Sequence, residues 1–256
     1  MKLVIKVGGA LLQDEDSRAL LAFESGSLVR AGHRLLLVHG GGAQVTAFLK
    51  AAGVEPEFIE GRRVTTPETL DAAVKVMAGT VNHQFLAGFA AAGVRACGIS
   101  GVDGGCIFAG RAGNGLGLVG RVYRVNPQLF DVLAAEGFVP VMASLAVGPG
   151  GEILNVNADE VAVACAAAWL ADRLIFLSDV EGVLGAGGGR LPRLTPREAE
   201  AMIAEGLATG GMVAKLRAAA QAVARGVPMV EIASGRHPRV LHSLLAGEEC
   251  GTVIQN

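Results

Sequence analysis

A three-layer αβα sandwich with a mainly parallel central sheet is the fold class this sequence predicts, and three observations lead to it. Short runs rich in Val, Ile and Leu alternate with longer Ala-rich segments, the βαβα order of a parallel sheet covered on both faces. The 256 residues suffice for one large α/β domain or two lobes. Hydrophobic residues make up 51% and charged residues 18%, which supplies a sizeable core and excludes intrinsic disorder.

Strands are expected near residues 2–7, 34–38, 94–99, 105–109, 118–124, 138–142, 173–178, 228–233 and 251–254, and helices near 17–31, 42–53, 67–92, 127–136, 158–171, 195–205, 210–226 and 238–246. The first strand places Lys6 in an apolar run just before Gly8-Gly9. That is the carboxyl end of a strand, where parallel sheets hold ligands, and glycine amides with a lysine suit an anion. The second strand ends in Val38-His39-Gly40-Gly41-Gly42 and leads into a helix, a second anion-binding turn. No Lys-Ser or Lys-Thr follows, so it is not a Walker A loop. His39 reads equally as an acid or base and as a strand-end ring bonded to backbone, and takes no assignment.

Before the helix that starts near Pro67, Gly61-Arg62-Arg63-Val64-Thr65 sets a forked, permanently charged donor in a loop. Arg63 there is either a carboxylate clamp or part of a solvated basic loop. Gly115, Gly117 and Gly120 match the GxGxxG pattern, but they lead into a strand rather than a helix, so a dinucleotide site is rejected. Asn155-Val156-Asn157-Ala158-Asp159-Glu160 opens the Ala-rich helix. Asn157 and Glu160 have the spacing of a capping box, which leaves Asn155 and Asp159 free for other work. A lobe boundary falls near 172–174, where that helix ends. Ser178, Asp179 and Gly182 follow the next strand and mark a second ligand edge or an ordinary turn, and Gly185 to Gly189 is a flexible loop. Finally, Gly210-Gly211 opens a helix carrying Lys215. Only five of the 22 basic residues are lysines, so Lys6 and Lys215 depart from the chain's habit of using arginine, and a compact ammonium suits a single phosphoryl oxygen.

A formal net charge of −2 and 4% aromatic residues argue against a nucleic-acid partner. Cys97, Cys106, Cys165 and Cys250 form no CxxC pair and read as reduced, buried thiols, without a zinc site or other protein-held metal. The longest apolar stretch, Val161 to Ala171, is about half a membrane span. A soluble, cytoplasmic protein with no membrane partner is expected.

Taken in order, Lys-x-Gly-Gly, His-Gly-Gly-Gly, Gly-x-Arg-Val-Thr, Ser-Gly-Val-Asp-Gly-Gly, Asn-Val-Asn-Ala-Asp, Leu-Ser-Asp-Val-x-Gly and Gly-Gly-Met-x-x-Lys resemble the amino acid kinase family, and within it the acetylglutamate kinases. The likeness runs from Lys6 to Lys215 and continues into the tail. Aspartokinases and kinases of carrier-linked aminoadipate fit less well. The resemblance implies the amino acid kinase fold, with 1–173 as an acceptor-binding and dimerising lobe, 174–256 as a nucleotide lobe, and one continuous sheet. It implies phosphoryl transfer from ATP, with Mg2+ carried by the nucleotide, to the side-chain carboxylate of N-acetyl-L-glutamate in arginine biosynthesis. Lys6 and Lys215 would then neutralise the transferred group, and Asp159 would organise the lysines. Gly8, Gly9, Gly41 and Gly42 would hold phosphate oxygens, with Gly41 and Gly42 bordering the acceptor. Arg63 and Asn155 would bind the acceptor's α-carboxylate, and Ser178, Asp179 and Gly182 would line the nucleotide site. An Asp common in the family after this last motif is replaced here by Gly185-Ala186-Gly187. A kinase of another carboxylate or of carbamate, and a silent nucleotide-binding regulator, are the competing readings. The first strand begins at Lys2, with no room for the N-terminal helix of arginine-inhibited relatives, so an arginine-insensitive homodimer is expected.

Overall fold

The structure is a computed structural model that describes residues 1–256. Its strands are β1 (Lys2–Val7), β2 (Arg34–His39), β3 (Phe58–Ile59), β4 (Arg62–Arg63), β5 (Ala96–Ser100), β6 (Ile107–Arg111), β7 (Gly120–Val125), β8 (Val139–Ala143), β9 (Leu145–Val147), β10 (Ile153–Asn155), β11 (Arg173–Ser178), β12 (Arg193–Leu194), β13 (Met229–Ser234) and β14 (Gly251–Ile254). Its α-helices are α1 (Gly9–Gln13), α2 (Glu15–Arg30), α3 (Gly42–Ala51), α4 (Pro67–Val74), α5 (Asn82–Ala91), α6 (Gln128–Ala135), α7 (Ala158–Ala168), α8 (Pro196–Ala204), α9 (Gly211–Ala224) and α10 (Val240–Ala246).

Eight strands form the central sheet in the order β12-β14-β13-β11-β1-β2-β8-β5. All pairs are parallel except β13 with β14. Alternation along each strand feeds two cores. Val4, Leu36, Val38, Leu174 and Phe176 pack with α7 and α9 on one face, while Leu3, Ile5, Leu35, Leu37 and Ile175 pack with α2, α3 and α5 on the other. Burying both faces explains why the central strands read as unbroken apolar runs. No helix is long and apolar enough to cross a membrane.

Several expectations need correction. The strands expected near 105–109 and 118–124 belong to a separate four-stranded sheet, β10-β9-β6-β7, while the central sheet itself runs unbroken across residue 173. The two- and three-residue strands β3, β4, β9, β10 and β12 escaped the sequence reading because they are too short to show a period of two. The five-residue α1 was hidden behind its glycine turn. The helix expected over 67–92 is interrupted by a π-helical segment, Lys75–Val81. Asn157 does cap α7, accepting from the Asp159 and Glu160 amides, but Glu160 accepts from the Val122 amide at 2.7 Å, so no reciprocal capping box forms. Cys106 and Cys165 are buried thiols, whereas Cys97 and Cys250 are only partly covered.

Candidate active site

The site forms at the carboxyl ends of β1, β2 and β11, where the chain leaves the sheet in glycine-rich turns. Lys6 shares the face of Val4 and therefore points toward α7. Asp159, in the first turn of α7, meets it with Oδ1 2.8 Å from the Lys6 ammonium, and both side chains are nearly covered. Gly8 donates its amide to the Leu177 carbonyl at 2.8 Å, joining the end of β1 to β11. A Cβ on Gly8 would sit 3.0 Å from that same oxygen, so the turn needs glycine there.

Helix α3 begins at Gly42 with Gly41 as its N-cap and no side chain capping it. The Gly41 amide has no partner within the chain. Free amides at a helix start present a partial positive charge to an anion. The third glycine-opened helix, α9, has Gly210 as its uncapped N-cap, with φ +53° and ψ −130°. Lys215 lies one turn into α9. Burial, and then the nearby Lys6 charge, hold its ammonium below the usual lysine range, while Asp159 and Asp179 pull it back up.

A cavity of about 260 Å³ is lined by Lys6, Gly41, Gly42, Arg63, Asn155 and Asp159 among others, while Gly8, Gly210 and Lys215 stand outside its wall. Arg63 reaches it from the hairpin of β3 and β4. One of its terminal nitrogens, Nη2, donates to the Gly42 carbonyl and to Thr46 Oγ1, both at 2.8 Å, and Phe58 packs 4.8 Å from the guanidinium. The other, Nη1, is buried without a partner. Burial also pulls the guanidinium below its ordinary pKa. Asn155 donates Nδ2 to Thr65 Oγ1 at 3.2 Å, and Thr65 in turn donates to the Arg63 carbonyl at 3.1 Å, so both acceptor residues are anchored through one threonine. An anchored guanidinium with one idle, buried fork is a receptor for an anion such as a carboxylate.

The nucleotide residues are distributed differently. Ser178 is buried with an unpartnered hydroxyl, and its Cα would lie 3.4 Å from a Cβ on Gly8. Asp179 is exposed and acts on Lys215 through its charge. Gly182 packs instead against Thr252, whose hydroxyl accepts the Val183 amide at 2.8 Å; with φ +148° and a Cβ position 2.7 Å from that oxygen, it has a structural reason to be glycine. The sequence reading missed Thr46, Phe58 and Thr65, which hold Arg63 and Asn155 in place. Thr46 was accessible from its four-residue spacing after Gly42, but nothing in the sequence marks Phe58. Gly117 of the rejected GxGxxG match pairs with Thr65 in a short bridge and opens no helix.

The model of the amino acid kinase family matches residues 1–234. The chain belongs to the amino acid kinase family. Within the family it is similar to the acetylglutamate kinase of Solibacter usitatus, 49% identical over 98% of both chains, and to that of Rubrobacter xylanophilus, 44% identical over 98% of this chain and 96% of the relative. Among solved structures it superposes on the smu.665 protein of Streptococcus mutans UA159 with a TM-score of 0.86, at 28% identity, covering 99% of this chain and 98% of that one. Family membership makes the chain a kinase, with the αβα amino acid kinase fold.

Proposed function

We propose that this chain transfers the γ-phosphoryl group of MgATP to the side-chain carboxylate of N-acetyl-L-glutamate, forming N-acetyl-L-glutamyl 5-phosphate for arginine biosynthesis. The observation that carries the acceptor assignment is the idle, buried Nη1 of Arg63 beside Asn155, in a cavity that also contains Lys6. About 260 Å³ is at the small end of ligand cavities and suits a short amino-acid derivative. High similarity to acetylglutamate kinases over nearly the full chain supports the same reading.

The chemistry needs no general base. One carboxylate oxygen of the acceptor forms a bond to the γ-phosphorus, the bond to the bridging oxygen breaks with its electron pair, and ADP leaves. Positioning and charge neutralisation do the work. Arg63 and Asn155 hold the α-carboxylate so that the side chain faces the glycine turns. Lys6 and Lys215 balance charge on the phosphoryl oxygens in flight, Asp159 fixes Lys6, and amides at Gly9, Gly41 and Gly42 supply fixed donors, while the Gly8 amide, expected to hold a phosphate oxygen, is instead committed to the Leu177 carbonyl and shapes the turn. Mg2+ bound to the nucleotide would neutralise β- and γ-phosphate charge. Ser178 and Asp179 would border the nucleotide, with Gly182 shaping that edge, and residues 1–173 and 174–256 would divide acceptor and nucleotide binding between them. Four thiols outside any disulfide fit a reducing, cytoplasmic setting, and the unpaired edge strand β5 offers a surface for a homodimer.

Hydroxylamine trapping tests the assignment. A hydroxamate should accumulate with ATP and N-acetylglutamate, and not with glutamate, aspartate or carbamate. Turnover confined to another acceptor overturns the substrate, and no ATP turnover with any acceptor makes the chain a silent binder.

A further inference from the structure

Behind the Gly40-Gly41-Gly42 turn lies a buried hydrogen-bond relay that the phosphoryl-transfer mechanism above does not use. His39, the last residue of β2, shares the face of Leu35 and Leu37 and is fully buried. Its Nδ1 lies 2.8 Å from the Gly40 carbonyl oxygen, and its Nε2 lies 3.0 Å from Nδ2 of Asn82, the first residue of α5. Asn82 is itself 2% exposed, and the same Nδ2 donates to the Val141 carbonyl of β8 at 3.0 Å.

Both ends of this chain of bonds are carbonyl oxygens, which only accept, and that fixes every proton between them. Val141 requires the nitrogen of the Asn82 amide to face it. The second N–H of that nitrogen then points to Nε2, which must be bare, so the ring proton sits on Nδ1 and is donated to Gly40. The fold also makes room for the relay. A Cβ on Gly98 of β5 would collide with Asn82 Oδ1, so the missing side chain at that strand position is what lets Asn82 enter. The π-helical segment Lys75–Val81 ends immediately before Asn82, and its Met77 presses against Gly41, with Cγ 2.9 Å from a Cβ placed there. Single π turns of this kind concentrate at functional sites.

We propose that His39, oriented by Asn82, is a positioning residue that aims the Gly41 amide into the acceptor cavity. The peptide linking Gly40 and Gly41 is planar and trans, so its C=O and N–H point in opposite directions. Holding the Gly40 oxygen inward, on the buried His39 ring, turns the Gly41 N–H outward, where it has no partner in the chain and where Gly40, Gly41 and Gly42 line the cavity. Two adjacent glycines could otherwise rotate this peptide at little cost. The relay therefore gives a glycine turn, whose flexibility lets backbone approach a phosphoryl group, the fixed donor direction that transition-state stabilisation needs. Burial pushes the His39 pKa down to about 4, so the ring stays neutral and the relay intact through the physiological range.

The kinetic half of this inference rests on the proposed kinase reaction, while the tautomer does not, so the test has two arms. Long-range proton–nitrogen NMR on histidine-labelled wild-type protein should show His39 with the proton on Nδ1 and a bare Nε2 at pH 7. A proton on Nε2 overturns the proposal whatever the enzyme phosphorylates. In the kinetic arm, His39→Leu should lower kcat by about 10- to 100-fold, the cost of a misdirected donor, with KM for the acceptor within about threefold of wild type because Arg63 and Asn155 are untouched. His39→Asn, whose amide can place an N–H where Nδ1 was, should recover most of the lost kcat. Unchanged kcat in His39→Leu, or equal losses in His39→Leu and His39→Asn, refutes the positioning role. Should His39→Leu fail to fold, Asn82→Leu carries the same kinetic expectation with the ring still present, and wild-type kcat in that variant refutes the role of Asn82. A wild-type protein inactive on N-acetylglutamate but with the Nδ1 proton removes the substrate assignment and leaves the relay standing.

Discussion

Replacing Asp159 with Asn removes one negative charge from between two lysines while keeping size and helix-start chemistry. The pair it breaks is short and nearly covered, 2.8 Å between Lys6 Nζ and Asp159 Oδ1, with the side chains 11% and 13% exposed. At an effective dielectric constant near 20 the gross attraction is about 6 kcal/mol. Most of this offsets the desolvation of the two charges, and Lys6 lines an open cavity where water replaces the lost partner. Fold stability should therefore fall only modestly, and Asn at the second helical position preserves the start of α7. Catalysis should suffer far more, because an unanchored Lys6 no longer meets the phosphoryl group preorganised. A loss of about 10² to 10³ in kcat is the expected scale for one misplaced electrostatic stabiliser. Asp159 also raises the Lys215 pKa against the depressing effects of burial and Lys6, so its removal lets that pKa fall further. In the proposed mechanism Lys215 acts protonated, so the alkaline limb of the kcat profile should move to lower pH. Steady-state hydroxamate assays across pH, with thermal unfolding as the control, measure both effects. Full activity with an unmoved alkaline limb would reduce Asp159 to a helix-end residue and refute the reasoning.

Three further outcomes are expected. Arg63→Lys should raise the acceptor KM about 10- to 100-fold with kcat nearly intact, because an ammonium cannot hold Gly42 and Thr46 while also meeting a carboxylate, and a hydrogen bond to a charged group contributes about 1.5–3 kcal/mol; unchanged acceptor saturation curves would contradict this. His39 has a folded pKa of about 4 against an ordinary 6.5, so its contribution to stability is complete above pH 6.5 and declines as pH falls toward 4, by about 3 kcal/mol over that window. Denaturant unfolding of wild type and His39→Asn at several pH values should show that this part of the acid slope is absent from the variant. Gly98→Ala should destabilise by about 1–3 kcal/mol or more through overpacking against Asn82, and lower kcat in the folded fraction, where a surface glycine such as Gly187, with nothing within 4 Å, should accept alanine with neither effect.

Residue type at a strand end carried most of what the sequence disclosed. Lys6 and the two glycine turns were legible because a charge or a glycine breaks an apolar pattern, and a break of pattern at the carboxyl end of a parallel strand has few structural purposes; Lys215, one turn into α9, stood out because lysine is rare in this chain. Arg63 and Asn155 were legible as donors, but their meeting followed only from the family resemblance and not from any local pattern. It depends on β3, β4 and β10, strands of two or three residues held by Thr65, and strands that short leave no periodicity to read. The π-helical segment was invisible for a related reason, since one extra residue per turn leaves an Ala-rich helical pattern almost unchanged. Gly182 shows the opposite limit, a second cause that its motif does not display. Its motif position pointed to the nucleotide, while the structure supplies a packing cause in Thr252 that no local pattern could announce.

The pleat of two neighbouring strands connects the charged and the neutral halves of this site. In the register of β1 and β2, Lys6 lies opposite Val38 and Val7 opposite His39, so the lysine and the histidine, one residue apart in register, project to opposite faces of the sheet. On one face Lys6 finds the carboxylate of α7, and on the other His39 finds the amide of α5. A one-residue slip between these strands would put Lys6 level with His39 and offer an ammonium to the apolar core or an imidazole to the phosphoryl site, either of which costs several kcal/mol. The apolar residues that flank each polar one, Ile5 with Val7 and Leu37 with the buried end of β2, hold the register against that slip. The two cores therefore do more than stabilise the sheet: their alternation sorts an anchored charge and a fixed backbone donor to the two sides of a single candidate site edge.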